Sequence, residues 1–335
     1  MLAYVGTYSW DIPGRMGKGK GIYRLPFDGR NGRFTSAPEP AAELENASYL
    51  TLRGNRMYAV SELNGQDGGL RAYDVAADGS LSEVYAGSTC GVAPCHVTAG
   101  PDYAAVANYM SGSVAFFPLR NGLPTGPVVF RNEGSGPDAV RQEGPHMHST
   151  MIGPDGRLFA ADLGTDEIVV FEPTPAGLVR LFSGKAPGGY GPRHMAFSAD
   201  GKTLYCVCEM GAMLCAWTYT GDGLRYIGAV SILPEGYEGV RAAADLHLSP
   251  DGKRLYASNR GHDSIAVVSV EDGMRLVKVF PTGGRIPRGI GVSPDGRWLL
   301  AAHQDSDSIT CLDAETGAIV DRVEVPQPVC IKLHV

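Results

Sequence analysis

The sequence predicts an all-β chain folded as a seven-bladed β-propeller. Three observations carry this: one hairpin pattern recurs along the whole length, its spacing is that of a four-stranded blade, and each end of the chain supplies part of a repeat. The clearest hairpin spans residues 191–211, GPRHMAFSADGKTLYCVCEMG, where β-runs at 193–197 and 204–209 flank the turn Ser198-Ala199-Asp200-Gly201-Lys202. In an antiparallel hairpin the residues farthest from the turn meet again at its open end. Arg193 and Glu209 are therefore expected side by side.

Residues 151–162 (MIGPDGRLFAAD), 248–259 (LSPDGKRLYASN) and 292–303 (VSPDGRWLLAAH) repeat the pattern, and 98–108 and 52–62 are shortened copies. Turn starts at Gly100, Gly153, Ser198, Ser249 and Ser293 give intervals of 53, 45, 51 and 44 residues, with short β-runs and no convincing helix between them. Length alone, 335 residues, suggests two domains. A repeat unit, however, buries its faces only against its neighbours, so a single domain over 1–335 is expected.

The two ends read as one blade. Leu2 to Thr7 matches a second strand, GIYRLP at 21–26 a third, and Asp28-Gly29-Arg30 a turn into a fourth. The missing first strand is PVCIKLHV at 328–335, which matches PRGIGV at 287–292. A ring closed by strands from both termini leaves no open sheet edge. Counting that shared blade with those centred on 49–84, 95–128, 148–181, 193–227, 244–277 and 288–323 gives seven.

Composition narrows the class. The 45 glycines and 23 prolines against 19% charged residues suit tight turns between buried strands. A net charge of -7 argues against a nucleic-acid partner, which favours a basic face. No apolar run approaches the roughly 18 residues of a membrane span, and the opening residues read as a strand, not a leader, so no membrane partner is expected. Seven cysteines, odd in number and without a CxxC pair, sit mostly in apolar runs; a cytoplasmic location is the expectation. Nothing in the sequence fixes an oligomeric state.

In a propeller the start of each first strand and the end of each second strand emerge on one face, around the central channel. The aligned starts are His148, Arg193, Ala244 and Arg288, with Cys95 or His96 in the shortened copy; the aligned ends are Thr7, Glu62, Tyr109, Leu163, Glu209, Arg260 and Gln304. Ionisable groups thus gather at one end of otherwise apolar hairpins, which is the expected pocket. Catalytic roles are expected of Glu209, His148, Arg193 and Arg260, and substrate contacts of His146, Arg288, Glu62, His194 and Gln304. Each also has a structural reading: Arg193 and Glu209 as a hairpin ion pair, His146 as a loop histidine beside the pocket, His194 as packing between blades, Arg288 as a brace, Arg260, Glu62 and Gln304 as solvated rim groups. The spacing of His146 and His148 would suit two metal ligands on one strand face, but no third ligand is evident nearby, so neither metal nor cofactor is expected. Phosphate-loop and GxSxG nucleophile patterns are absent.

The opening YVGTY with KGIYRL, the PHMHS run at 145–149, GPRHMAFSADGKTLYCVCEM, AADLHLSPDGKRLYASNRG and PRGIGVSPDGRWLLAAHQDSDSI together resemble the lactonase family of seven-bladed propellers over essentially the whole chain. That family includes bacterial 6-phosphogluconolactonase and the fungal cycloisomerase that makes carboxymuconolactone. The resemblance implies an active-site set of a histidine, two arginines and a glutamate, which by motif fall on His148, Arg193, Arg260 and Glu209.

The expected activity is metal-independent hydrolysis of a small anionic sugar-acid lactone, 6-phosphogluconolactonase-like, with Glu209 or His148 as general base, the other as proton donor, and Arg193 and Arg260 polarising the carbonyl and holding an anionic group. Two alternatives stand beside it. A muconate-type cycloisomerase would be favoured by apolar or aromatic pocket walls, and a non-enzymatic binding platform by a charged rim that is solvated and scattered.

Overall fold

The computed structural model describes residues 1–9 and 17–334. Their strands form seven sheets, the seven blades. Blade 1 joins Pro328–His334 to Leu2–Thr7 and Gly21–Asp28, and its outer strand is broken into Arg33–Phe34 and Glu39–Glu43. Blades 2 to 7 cover 50–92, 94–131, 147–185, 192–231, 242–281 and 287–324. No helix among the described residues is long and apolar enough to cross a membrane.

The strands belong to two compact units. The first, Met1–Leu50, Ala77–Leu81 and Val230–Val335, holds blades 1, 6 and 7. Leu2–Thr7 pairs antiparallel with both Gly21–Asp28 and Pro328–His334, so the chain ends do share one sheet. Its core sets Ala3, Val5, Leu25 and Phe27 against Trp298, Leu300, Ile309 and Cys311, and Tyr256, Ile265 and Val267 against Ile290, Leu299 and Leu312. The second unit, Thr51–Ala76 and Ser82–Ala229, holds nearly all of blade 2 and blades 3 to 5. Here Tyr103, Ala105 and Phe116 pack on Leu158, Val169 and Phe171, while Phe159, Ile168 and Val170 pack on Leu204, Cys206 and Trp217. Strands covered on both faces need continuous apolar runs, as in the fully buried Leu158–Asp162, whereas the outermost Gly177–Lys185 is half exposed. Each large side chain buried this way contributes roughly 1.5–3 kcal/mol.

The recurrent turn has a local cause. Ser198 Oγ accepts from Thr203 N (2.9 Å) and donates to Asp200 Oδ1 (2.6 Å), which accepts from Lys202 N (3.1 Å). Ser249 with Asp251 and Ser293 with Asp295 repeat these bonds. The first residue fixes the hairpin register and the third closes the turn.

At the opposite end of the hairpins a second device recurs. Pro192 pairs with Cys208 but His194 with Val207, so Arg193 is an extra, bulged residue. His148 is bulged in the same way between Met147 and Ser149, Cys95 between Pro94 and His96, and Arg288 between Pro287 and Gly289. The bulge therefore selects Cys95, not His96, as the aligned residue of blade 3. Just ahead of each following proline, Ala93, Gly191, Ile286 and Gln327 have φ of +56°, +67°, +58° and +38°. Their carbonyls accept the N–H of Tyr109, Glu209, Gln304 and Tyr8, at 2.9, 2.7, 3.0 and 3.2 Å. In blade 1 the residue at the position of Glu209 is thus Tyr8, one beyond the expected Thr7. Aspartates hold this conformation from the preceding blade: Asp166 Oδ1 accepts from Gly191 N (2.7 Å), Asp263 Oδ1 from Ile286 N (2.7 Å) and Asp307 Oδ1 from Gln327 N (3.0 Å).

The 132–146 segment between blades 3 and 4 is tied at both ends to Asp162. Its Oδ2 accepts from Asn132 Nδ2 (2.7 Å), and its Oδ1 from the N–H groups of His146 (2.7 Å), Gly164 (2.9 Å) and Thr165 (3.2 Å). Burial lifts this carboxyl above the ordinary carboxylate range, and the four bonds pull it back down. Gln142 Nε2 adds a bond to Leu163 O (2.8 Å).

Asp162→Ala strands four buried donors, so it is expected to cost about 3 kcal/mol and to speed hydrogen exchange across 132–146 more than elsewhere; uniform exchange throughout the chain would contradict the anchoring. His303 is fully buried, and its Nε2 meets no partner among the described residues. Burial, helped by the Arg322 charge, pushes its pKa from 6.5 down to about 4. The folded state therefore holds it neutral: its stability is intact above pH 6.5 and falls by about 3 kcal/mol as the pH drops to 4, because only the unfolded chain gains the proton over that range. Urea titrations between pH 7 and 4 are expected to show that loss, and His303→Leu to remove most of it.

Candidate active site

Two buried side chains from the blade 5 hairpin define the site. Glu209 directly follows the second strand, Thr203–Cys208, and Arg193 is the bulge in the first, Pro192–Phe197. Because Glu209 N is bonded to Gly191 O, two residues before Arg193, the backbone itself brings the pair together. Arg193 Nε donates to Glu209 Oε2 at 3.0 Å, with side chains 2% and 8% exposed. The expected neighbours are indeed in contact.

The other carboxylate oxygen is taken by a residue that the repeat pattern does not mark. Arg141 Nη2 donates to Glu209 Oε1 at 2.7 Å and to the Tyr109 hydroxyl at 3.3 Å. Arg141 sits in the tied 132–146 segment, where Asp138 Oδ1 accepts its N–H at 3.0 Å. Burial, the largest single influence, would lower its pKa, but the Glu209 charge and the hydrogen bonds to Glu209 and Tyr109 together raise it, so it stays a cation. The sequence signal was the segment's length, since a connection of about 15 residues without strands is usually functional.

Imidazoles complete the cluster. His148, the bulge of blade 4, brings Nε2 to 3.8 Å from Glu209 Oε2, and its Nδ1 lies 3.9 Å from Cys95 Sγ. Arg193 Nη1 lies 3.1 Å from His194 Nε2; a guanidinium only donates, so that nitrogen accepts and His194 carries its proton on Nδ1. His96 Nδ1 accepts from Thr150 N at 3.3 Å, and its ring meets His194 edge-on at 5.2 Å. Tyr109 stacks on His146 at 4.6 Å and meets His148 edge-on at 5.4 Å. Burial raises the Tyr109 pKa and keeps the phenol neutral. His146 Nε2 lies 3.1 Å from Glu143 Oε1, whose pKa is lowered by its own backbone N–H and by that histidine.

The structure thus brings together Glu209, Arg193, His148 and His194, with His146 attached through Tyr109. Glu62 stands half-buried just after the second strand of blade 2, in the same unit. The remaining expected residues belong to the first unit. Arg260 ends Arg254–Arg260 and donates from Nη2 to Ala243 O (2.9 Å); Arg288 lies over the Tyr8 ring at 5.4 Å; Gln304 Nε2 donates to Asp305 Oδ1 (3.3 Å). Tyr109 was visible in the sequence as a rim position without a role, and His96 as the alternative to Cys95 at the start of a first strand. Among the described residues no group of three or more His, Cys, Asp and Glu is placed to hold a metal. The second-unit cluster combines a carboxylate, two guanidinium groups and several imidazoles, which is equipment for proton transfer beside a developing negative charge.

The family model described as "Lactonase, 7-bladed beta-propeller" matches residues 2–333. The 6-phosphogluconolactonase of Bacillus subtilis is 32% identical over 300 residues, which are 86% of this chain and 83% of that one. A periplasmic gluconolactonase of Pseudomonas aeruginosa superposes with a TM-score of 0.90 at 29% identity, covering 99% of both chains. A Lactobacillus plantarum protein superposes with a TM-score of 0.90 at 27% identity, covering 99% of this chain and 98% of that one. With residues 2–333 matched in this way, the chain belongs to the lactonase family of seven-bladed β-propellers.

Proposed function

We propose that the protein hydrolyses a sugar-acid lactone, 6-phosphogluconolactone or a close relative, at the Glu209 cluster. The observation that carries this is the buried Arg193–Glu209 pair beside His148, with the more exposed Arg141 on its other oxygen, which leaves one carboxylate among two guanidinium groups and four imidazoles. Both Glu209 oxygens already accept from arginines, so His148 is the base in this reading and Glu209 steadies its protonated form. His148 takes a proton from water as the water oxygen attacks the lactone carbonyl carbon. The carbonyl electrons move onto oxygen, and Arg193 stabilises that oxyanion. On collapse the ring C–O bond breaks, and the imidazolium returns its proton to the departing ring oxygen. The neutral Tyr109 hydroxyl, which accepts from Arg141, keeps its own proton to donate to a substrate oxygen.

The cycloisomerase reading has the aromatic wall of Tyr109 and His146 in its favour. Against it, most of the wall is imidazole, which bonds hydroxyl groups as readily as it packs. The binding-platform reading needs a solvated, scattered rim, and Arg193 and Glu209 are buried and joined.

Hydrolysis of freshly generated 6-phosphoglucono-1,5-lactone and of glucono-1,5-lactone, with EDTA present, tests the proposal. The wild type is expected to exceed the spontaneous rate on at least one of them. His148→Gln, Glu209→Gln and Arg193→Met are expected to lose about 10²–10⁴-fold in kcat/KM while keeping the wild-type circular dichroism. For Arg260 the role rests on the family resemblance, and Arg260→Met tests it in the same assay. Full activity in folded His148→Gln would rule out this assignment.

A further inference from the structure

We propose that Arg141 reads the second anionic group of the substrate, a phosphate or carboxylate remote from the lactone carbonyl, and so sets the enzyme's preference for charged over neutral sugar lactones. The inference deepens the lactonase reading above and rests on it.

The geometry divides this guanidinium into two sides. Nη2 is spent on Glu209 Oε1 and the Tyr109 hydroxyl. Nε and Nη1 donate to no described residue. Arg141 is also the open member of the group: its side chain is 44% exposed, against 8% for Glu209. One edge therefore faces the catalytic carboxylate and the other faces solvent. Arg193 has no such edge, being 2% exposed with Nε on Glu209 and Nη1 on His194.

The surroundings favour an oxyanion on the open edge. Glu209 carries one negative charge shared between two guanidinium groups, so a net positive charge remains. Of the loop carboxylates, Asp138 is held on the backbone N–H groups of Val140 and Arg141 at 2.9 and 3.0 Å, and Glu143 is turned onto His146 at 3.1 Å. A planar guanidinium binds phosphate or carboxylate through two parallel N–H···O bonds, which are among the stronger contacts available at a half-exposed site. Position is fixed as well: Asp162 holds both ends of the segment and Asp138 holds the Arg141 N–H. A substrate anion bound there would sit within one guanidinium's width of Glu209, close enough to orient the lactone ring for attack.

Binding of reaction products separates this from the hydrolysis assay. Gluconate, 6-phosphogluconate and glucarate share one carboxylate; the second adds a phosphate and the third a further carboxylate. Titration calorimetry on the wild type is expected to give 6-phosphogluconate or glucarate at least about tenfold tighter binding than gluconate, and which of the two is favoured tells phosphate from carboxylate recognition. In Arg141→Met that ratio is expected to collapse to within about twofold, with Arg141→Lys in between. The kcat/KM ratio of phosphorylated to neutral lactone is expected to fall in parallel, mainly through KM. A preference that survives Arg141→Met, an equal loss of affinity for all three products, or a wild type with no preference would overturn the inference. Absence of turnover on every lactone with the binding preference intact would instead count against the lactonase reading alone.

Discussion

Burying the Glu209 carboxylate costs it most of its hydration, and the rest of the site follows from how that cost is met. A buried carboxylate persists only if its oxygens find charged or strong neutral donors. Arg193 supplies one from within the same hairpin and Arg141 supplies the other from a separate segment. Removing either guanidinium leaves a charge without its partner, so both are held in place by more than their own side chains. Catalytic capacity comes from the same constraint: a carboxylate that cannot move fixes the guanidinium groups around it, and donors fixed before the reaction need no reorganisation during it.

The backbone is shaped to make that pairing possible. A residue with positive φ precedes the first strand of blade 5, which opens with a proline and a one-residue bulge, and the same three steps recur in other blades. Positive φ costs a non-glycine residue about 1 kcal/mol or more. In blade 5 Gly191 avoids most of that cost, while Ile286 and Gln327 bear it in the first unit under the hold of Asp263 and Asp307. Each bulge turns one side chain out of the regular alternation. The side chain found there is Arg193, His148, Cys95 or Arg288, so a common backbone device presents different chemistry in each blade.

Much of this was legible because the Ser-x-Asp-Gly turn leaves a fixed mark in the sequence, and counting outward from a fixed turn places both strand ends. Arg193 opposite Glu209 came from that count alone, as did His148, while the shared terminal blade came from the match of 328–335 to 287–292. Where the mark is missing the count slips. Blade 1 has no turn between its first two strands, which come from opposite ends of the chain, and there the position fell on Thr7 instead of Tyr8. In blade 3 the turn is shortened, and only the bulge distinguishes Cys95 from His96. Arg141 was out of reach for a different reason: it lies in a segment outside the repeat, and its contact with Glu209, 68 positions away, exists only through tertiary structure. The aspartate that holds each positive-φ residue was present in GTDEI, GHDSI and DSDSI, but its partner is an N–H group some twenty residues on, which no local pattern reveals.

The dependence of the site on the buried pair is most directly tested by a double-mutant cycle on Glu209 and Arg193, read as unfolding free energy in urea at neutral pH. The account predicts that Glu209→Gln and Arg193→Met each cost about 3 kcal/mol, because each leaves a buried group without its partner, and that the double variant costs at least about 1.5 kcal/mol less than their sum. Strict additivity, with small single effects, would mean that the two side chains merely lie near each other and that the constraint organising the site is elsewhere.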